Sequence, residues 1–368
     1  MATQQHGALR RRSRQTGVRK DVIDPRRSLT AGHDERTFRP ATAPDVASSS
    51  WEPVRFGVIG ASSMVARAAV VPAIEATPKA ELVASASLAA GDDYDAVLAD
   101  PDVEAVYVPL PNGMHREWVE RCAEAGKHVL CEKPLALTGS DARAMADACA
   151  ANGVVLLEAY MTPYHPRSVA LRDLVAAGRL GRLLSVRSVF TVPHEEPADH
   201  RWHPLLGGGA LADLGVYVLS PLFELAAAVG QDVPSSVTSH AVVTEPDADG
   251  RCVDVTTAGE VRFPDGIVTT FECSFDAPEA QALEVTGTQG RVRVEHAFTP
   301  DETDDELVLQ RRDGTTDVIA GLGGDCYRGM VDHFCAVVRG LAESKRPPEV
   351  SVAFAELCDR LRSSQGQP

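Results

Sequence analysis

From Val54 to Tyr160 the sequence alternates short apolar runs with longer amphipathic stretches. The runs at Val54–Ile59, Glu81–Ser87, Glu104–Leu110, His128–Cys131 and Gly153–Tyr160 are rich in aliphatic and β-branched residues, as strands buried on both faces should be. The stretch DVEAVYVPLPNGMHREWVERCAEAGKHVLCEKPL, from Asp102 to Leu135, sets the pattern. An apolar run is followed by a turn, then by a helix predicted over Met114 to Ala125 with Asn112 as its N-cap and Gly126 as its left-handed stop. His128 to Cys131 forms the next strand, with Glu132-Lys133-Pro134 at its end. This is a strand-helix-strand unit, and its loops gather at the carboxyl ends of the strands, where open α/β sheets bind ligands.

Beyond Tyr160 the rhythm changes. A helix over Arg167 to Ala177 and a strand over Leu183 to Val192 lead to a polar loop, then to RWHPLLGGGALADLGVY, residues 201–217. Ser235 to Arg311 alternates short strands with turn residues (VTSHAVV, VTTAGEVRF, GIVTTFECSF, ALEVTGTQGRVRVEH, ELVLQRR), the mark of an antiparallel sheet. An amphipathic helix over Cys326 to Glu343, with Met330, Phe334 and Val337 on its apolar face, and a last helix over Val352 to Leu361 complete the chain. The class is α/β: a parallel-sheet domain over 51–165, an α+β domain with a mainly antiparallel sheet over 166–350, and a terminal segment 351–368.

Composition narrows the function. The formal charge of −16 argues against nucleic acid as a partner, because a phosphate-tracking surface needs clustered Lys and Arg. The first fifty residues carry ten Lys/Arg against five Asp/Glu and read as a disordered basic leader. Arg10-Arg11-Arg12 and Arg26-Arg27 raise the possibility of an export signal, but no apolar segment follows either cluster. No stretch approaches the ~20 apolar residues of a membrane span. The eight cysteines show no CxxC pair and no metal-ligand spacing, so they read as reduced core thiols in a cytoplasmic protein with no metal.

The turn after the first strand reads Gly60-Ala61-Ser62-Ser63-Met64-Val65-Ala66. Of the three glycines of a dinucleotide fingerprint only Gly60 is present, and Ser62 and Val65 replace the others. Small residues still allow close approach, so that helix N-terminal amides at Ser62, Ser63 and Met64 could hold a pyrophosphate. Lys133 is fixed in aim by Pro134, which confines it to an extended conformation. Asp213 and Tyr217 are four apart and project from one helix face.

VYVPLPNGMH followed by GKHVLCEKPL resembles the signature of the Gfo/Idh/MocA family of NAD(P)-dependent oxidoreductases, and the resemblance runs from about Val54 to Leu361. Tyr217, where most of the family has His, places the chain near the branch of glucose-fructose oxidoreductase, NADP-dependent xylose dehydrogenase and dimeric dihydrodiol dehydrogenase. The resemblance implies a Rossmann domain whose dinucleotide contacts include Gly60, Ser62, Ser63, Met64, Ser87, Pro109, Asn112, His115, Glu132, Lys133 and Trp202, with Asn112 and His115 flanking the nicotinamide. It also implies a last helix packed back on the first domain, an interdomain linker around Tyr164 and His165, and a homo-oligomer, dimer or tetramer. The chain departs from the family after Ser87, where Leu88-Ala89-Ala90-Gly91 leads at once to Asp92-Asp93-Tyr94 and a crossover helix and strand are missing. No acid stands at the tip of the second strand for a ribose diol and no Arg for a 2′-phosphate, so NADP is favoured over NAD only through the branch likeness.

The chemistry implied is hydride transfer between nicotinamide and an alcohol carbon of a sugar or other polyhydroxylated small molecule. Lys133, Asp213 and Tyr217 are the catalytic set: Tyr217 as acid/base with its pKa lowered by the Lys133 ammonium, Asp213 accepting from substrate hydroxyls. Two other readings are a fold-retaining regulatory homologue, favoured by the shortened region, and a trans-dihydrodiol dehydrogenase or other non-sugar reductase, which an apolar cleft around Trp202 would favour and hydroxyl-directed polar groups would oppose.

Overall fold

The structure, a computed structural model, describes residues 51–364 apart from 197, 198 and 232. The basic leader and its arginine clusters lie outside the described residues.

The first sheet has five parallel strands in the order β2-β1-β3-β4-β5. Strand β1 (Val54–Ile59) leads through a π-helical segment, Ala66–Val70, into α1 (Val71–Ala76) and then β2 (Ala80–Ala86). A 3₁₀ turn, Leu88–Ala90, and the short helix α2 (Tyr94–Ala99) carry the chain back past β1 to β3 (Ala105–Val108). Helix α3 (His115–Glu124), β4 (His128–Glu132), α4 (Gly139–Ala151), β5 (Leu156–Ala159) and α5 (Pro166–Ala176) follow. Strand β3 is buried at every position, as its unbroken apolar run requires. The strand order reverses between β1 and β3, which opens the ligand crevice there. The shortening after Ser87 is real in space, since six-residue α2 is the only α-helix between β2 and β3 and β2 ends the sheet.

Asn112 does not cap α3. The residues 112–114 form a 3₁₀ turn, α3 starts at His115 without a side-chain cap, and the Asn112 amide donates to Gly207 O at 2.9 Å. Gly126 does close the helix, at φ +70°.

The second sheet is built from β6 (Leu183–Thr191), then, after α6 (Ala210–Ala227), β7 (Ser236–Val243), β8 (Asp254–Arg262), β9 (Val268–Ser274), β10 (Ala280–Gly287), β11 (Gly290–Glu295), β12 (Leu307–Arg311) and β13 (Thr316–Ile319). Its order is β13-β12-β11-β10-β6-β9-β8-β7, antiparallel throughout except where β6 runs parallel to β9. Strand β13 was not legible in the sequence, being four residues of alternating exposure. Helices α7 (Cys326–Val338) and α8 (Pro348–Ser364) end the fold; α7 stops five residues before the predicted Glu343, at a left-handed Gly340. Phe334 of α7 meets Phe56 of β1 at 5.6 Å, and α8 lies against α4 and β7.

Helix α6 corrects the expectation that no stretch is apolar enough to span a membrane: by length and composition its 18 residues are, but 78% of it is buried within the protein, and it packs on β6, β8 and β9 as a core helix. Seven of the eight cysteines are buried free thiols; Cys252 is exposed.

Candidate active site

The turn after β1 is shaped by Gly60, whose φ of +93° a side chain resists and whose missing Cβ would stand 2.8 Å from Leu110 Cδ2. The Gly60 and Ala61 amides both donate to Ala86 O, which fastens the turn to the end of β2. Ser62 and Met64 are exposed at the mouth of this turn, Met64 by 69%. Two predicted cofactor residues carry buried polar atoms without a hydrogen-bond partner, Ser87 Oγ and Trp202 Nε1. A crowded glycine turn opening on a helix, with the unsatisfied Ser87 hydroxyl beside the strand end to which it is bonded, fits a dinucleotide.

Across the crevice, three consecutive glycines open α6. A Cβ on Gly208 would strike Arg201 O, and one on Gly209 would strike the Asp254 carboxylate, which accepts from Leu211 N at 2.7 Å and so caps α6 from β8. Gly113 leaves room for Leu205 O, only 2.7 Å from where its Cβ would be. These approaches seat the loop carrying Arg201 and Trp202 on the turn that follows β3.

They also bring the predicted catalytic set together. Lys133 Nζ donates to Asp213 Oδ1 at 2.7 Å and to Asp213 O at 2.8 Å, and stands 4.8 Å from the centre of the Tyr217 ring. Arg201 Nε donates to Asp213 Oδ2 at 2.8 Å, and its guanidinium reaches Asp199 at 3.0 Å. Burial works against the Asp213 charge, but Lys133 and Arg201 outweigh it and hold the carboxyl well below the usual carboxylate range. Both carboxylate oxygens thus accept from a cation, each with a lone pair to spare for a further donor. Tyr217 packs edge-on against Tyr160 and Phe190, and its hydroxyl has no hydrogen-bond partner among the described residues. Burial, then the nearby Glu132 and Asp213 charges, raise its pKa well above the ordinary tyrosine value. The expected lowering by Lys133 is overturned: the ammonium lies over the ring face, and Asp213 offsets its charge.

Glu132 is buried and accepts from Tyr107 Oη at 2.7 Å. Burial pushes its pKa up to about 7 against the effect of that hydrogen bond. Tyr327, on the first turn of α7, is raised by burial and by Tyr217 and Glu132 beside it. His115 does not flank the crevice. It is fully buried, with ring nitrogens 2.8 Å from Leu110 O and 3.0 Å from Pro134 O, so it ties the end of β3 to the loop after β4. Pro134 itself follows a cis peptide bond. Pro109 is buried against the Gly60 turn. His165 caps α5 by accepting from Arg167 N, and Tyr164 packs on His333, so both belong to the joint rather than to the chemistry. Trp202 stacks edge-on against Phe275 at 5.4 Å. Sequence reasoning missed Arg201 and Tyr107, although each sits inside a stretch that it singled out.

Residues 54–160 match the oxidoreductase family with an NAD-binding Rossmann fold, and 168–293 match the GFO/IDH/MocA C-terminal domain. A D-xylose 1-dehydrogenase (NADP(+)) from Haloferax volcanii is 34% identical over 324 residues, 84% of this chain and 96% of that protein. A dTDP-3,4-didehydro-2,6-dideoxy-alpha-D-glucose 3-reductase from Saccharopolyspora spinosa is 34% identical over 78% of this chain and 88% of its own length. Among solved structures, a 3-ketoreductase from Actinomadura kijaniata in complex with NADP and TDP-benzene is similar with a TM-score of 0.75 at 28% identity, covering 85% of this chain and 98% of that one. With both family domains matched in order and relatives 34% identical along most of their length, the chain belongs to the Gfo/Idh/MocA family of NAD(P)-dependent oxidoreductases.

Proposed function

We propose that the chain moves hydride between a nicotinamide dinucleotide and an alcohol carbon of a sugar or related polyol, through Lys133, Asp213 and Tyr217. The observation that carries this reading is the Lys133–Asp213–Arg201 ion chain, enclosed against a tyrosine whose hydroxyl is left unpaired. When bound, the dinucleotide supplies or accepts the hydride. The Gly60 turn, Ser62, Ser63, Met64 and Ser87 would hold its phosphates and adenosine ribose, and Glu132 and Trp202 its nicotinamide end.

The protein's part is to place one oxygen and move one proton. Lys133 has three donors and spends two on Asp213, leaving one for a substrate oxygen. Asp213 acts through Lys133 and Arg201, fixing both. Tyr217, held as a neutral phenol, is set to give its proton to an oxygen that becomes alkoxide, which suits carbonyl reduction; alcohol oxidation requires its phenolate to take the hydroxyl proton back. A polyol suits the surroundings. His194 and His200 lie near the Arg201 and Asp213 charges, and burial followed by Arg201 lowers the pKa of both, giving neutral imidazoles able to donate and accept. Neutral imidazoles near Trp202 suit hydroxyl groups, which favours a sugar over an aromatic dihydrodiol. The relatives named for a substrate act on xylose or on a dTDP-linked deoxysugar. NADP is named for the xylose dehydrogenase and is bound in the 3-ketoreductase structure; what this chain selects turns on its own residues after β2.

Replacing Tyr217 by Phe tests the assignment. With aldoses and keto sugars as substrates and nicotinamide absorbance as the readout, turnover should fall by roughly 10²- to 10⁴-fold while dinucleotide affinity stays nearly constant. Unchanged turnover would remove Tyr217 from proton transfer.

A further inference from the structure

The end of β2 is rebuilt around a carboxylate. The chain leaves Ser87 through the 3₁₀ turn Leu88–Ala90 and left-handed Gly91, at φ +85°, and doubles back: Ala90 N and Asp92 N both donate to Ser87 O, at 2.9 and 3.1 Å. The loop closes from the other side as well, with Ser87 N donating to Asp92 Oδ2 at 2.9 Å. An acid five residues down the chain is thus delivered to the strand tip, which the linear order of residues conceals. Because the Gly60 turn is bonded to Ala86 O, this carboxylate stands beside the turn that would hold the pyrophosphate.

We infer that Asp92 makes this chain select NAD(H) over NADP(H), reversing the preference that likeness to its relatives suggests; the inference rests on the dinucleotide reading above. A carboxylate at this strand tip accepts hydrogen bonds from the two hydroxyls of the adenosine ribose, whereas a 2′-phosphate meets it as a like charge. Three further observations agree. The Ser87 amide, which could have donated to a phosphate, is already taken by Asp92. Among the described residues no Lys or Arg pairs with Asp92; Arg121 nearby is committed to Asp95 and to the face of Trp118 at 4.2 Å. Leu88, the residue next to Ser87, is 56% exposed and offers no cation. Ser87 Oγ, buried and without a partner, remains as a donor for the ribose.

The test is a pair of equilibrium titrations of the full-length protein with NADH and NADPH, followed by nicotinamide fluorescence and by calorimetry. The unmodified chain should bind NADH at least about tenfold more tightly than NADPH. Asp92→Asn keeps an oxygen acceptor for the Ser87 amide and removes only the charge, so it should narrow that ratio while leaving the thermal midpoint in place. Adding Leu88→Arg to it should invert the ratio. Tighter binding of NADPH by the unmodified chain overturns the inference and leaves the oxidoreductase reading standing, as does an unchanged ratio in a folded Asp92→Asn protein. Binding of neither dinucleotide at millimolar concentration overturns both.

Discussion

Glu132 is enclosed with a tyrosine for company and pairs with no cation among the described residues, so its proton is held up to about pH 7. In the unfolded chain the same carboxyl titrates near 4.5. Between these two values the folded state binds the extra proton, and stability therefore declines as pH rises across that window, by on the order of 3 kcal/mol for this one group. Glu132→Gln keeps the acceptor for Tyr107 and removes the titration. Urea midpoints measured at pH 5 and pH 7.5 should converge in that variant and differ more in the parent, and an identical pH slope in both would show that Glu132 ionises freely. The residues of the site were unevenly legible. Lys133 and Tyr217 stood out because each occupies a fixed place in a contiguous motif. Arg201, Tyr107 and Asp92 did not, because what they touch is decided by how a loop folds back. The error over Tyr217 has a similar origin: charge signs can be read from a sequence, whereas the depth of burial that overrides them cannot.

The elements that were easiest to read are those whose pattern is local. Strand β1 begins and ends where its apolar run does, and β2 and β4 lie within one residue of theirs. The turn between β1 and α1 was harder, with one glycine of three, and the structure explains why one suffices: within that turn Gly60 alone takes a positive φ, and it does so against close neighbours. Gly60→Ala should cost ~1 to 3 kcal/mol and weaken dinucleotide binding. Gly153→Ala, at φ +67° with nothing within 4 Å of its Cβ, supplies the comparison, since it carries the backbone penalty alone. Equal losses of stability in the two variants, with dinucleotide binding intact in both, would mean that crowding against Leu110 and Pro109 contributes nothing. The eight-stranded sheet shows where local reading stops. Alternation announces that strands exist, yet nothing in β6 tells that it will lie parallel to β9 at the centre of the sheet.

At the scale of the whole molecule the two sheets are joined through a buried ion cluster. Glu158, at the end of the first sheet, accepts from Arg346 at 2.8 Å, from Ser351 of α8 at 2.6 Å and from Leu135 N at 2.9 Å, while Arg346 also reaches Glu224 of α6 at 3.6 Å. Burial opposes the Glu158 charge and Arg346, with the hydrogen bonds, outweighs it, so the carboxyl stays ionised. Removing one partner strands the other: Arg346→Met should destabilise by ~3 to 5 kcal/mol in urea unfolding, and the double variant Glu158→Gln/Arg346→Met should regain a large part of that. If the single change is neutral, the cluster does not hold the sheets together. Neither residue was legible as a pair, separated as they are by 188 positions. The shortening after β2 has its own consequence at this scale. With no strand on its far side among the described residues, β2 is a border whose outward backbone amides and carbonyls could template pairing with another chain. The strand sets the exposed carboxylate of Glu81 on that border, a charge that a strand pairing there would have to accommodate. Ending the sheet at β2 has left this protein with a margin to defend, and charge is what defends it.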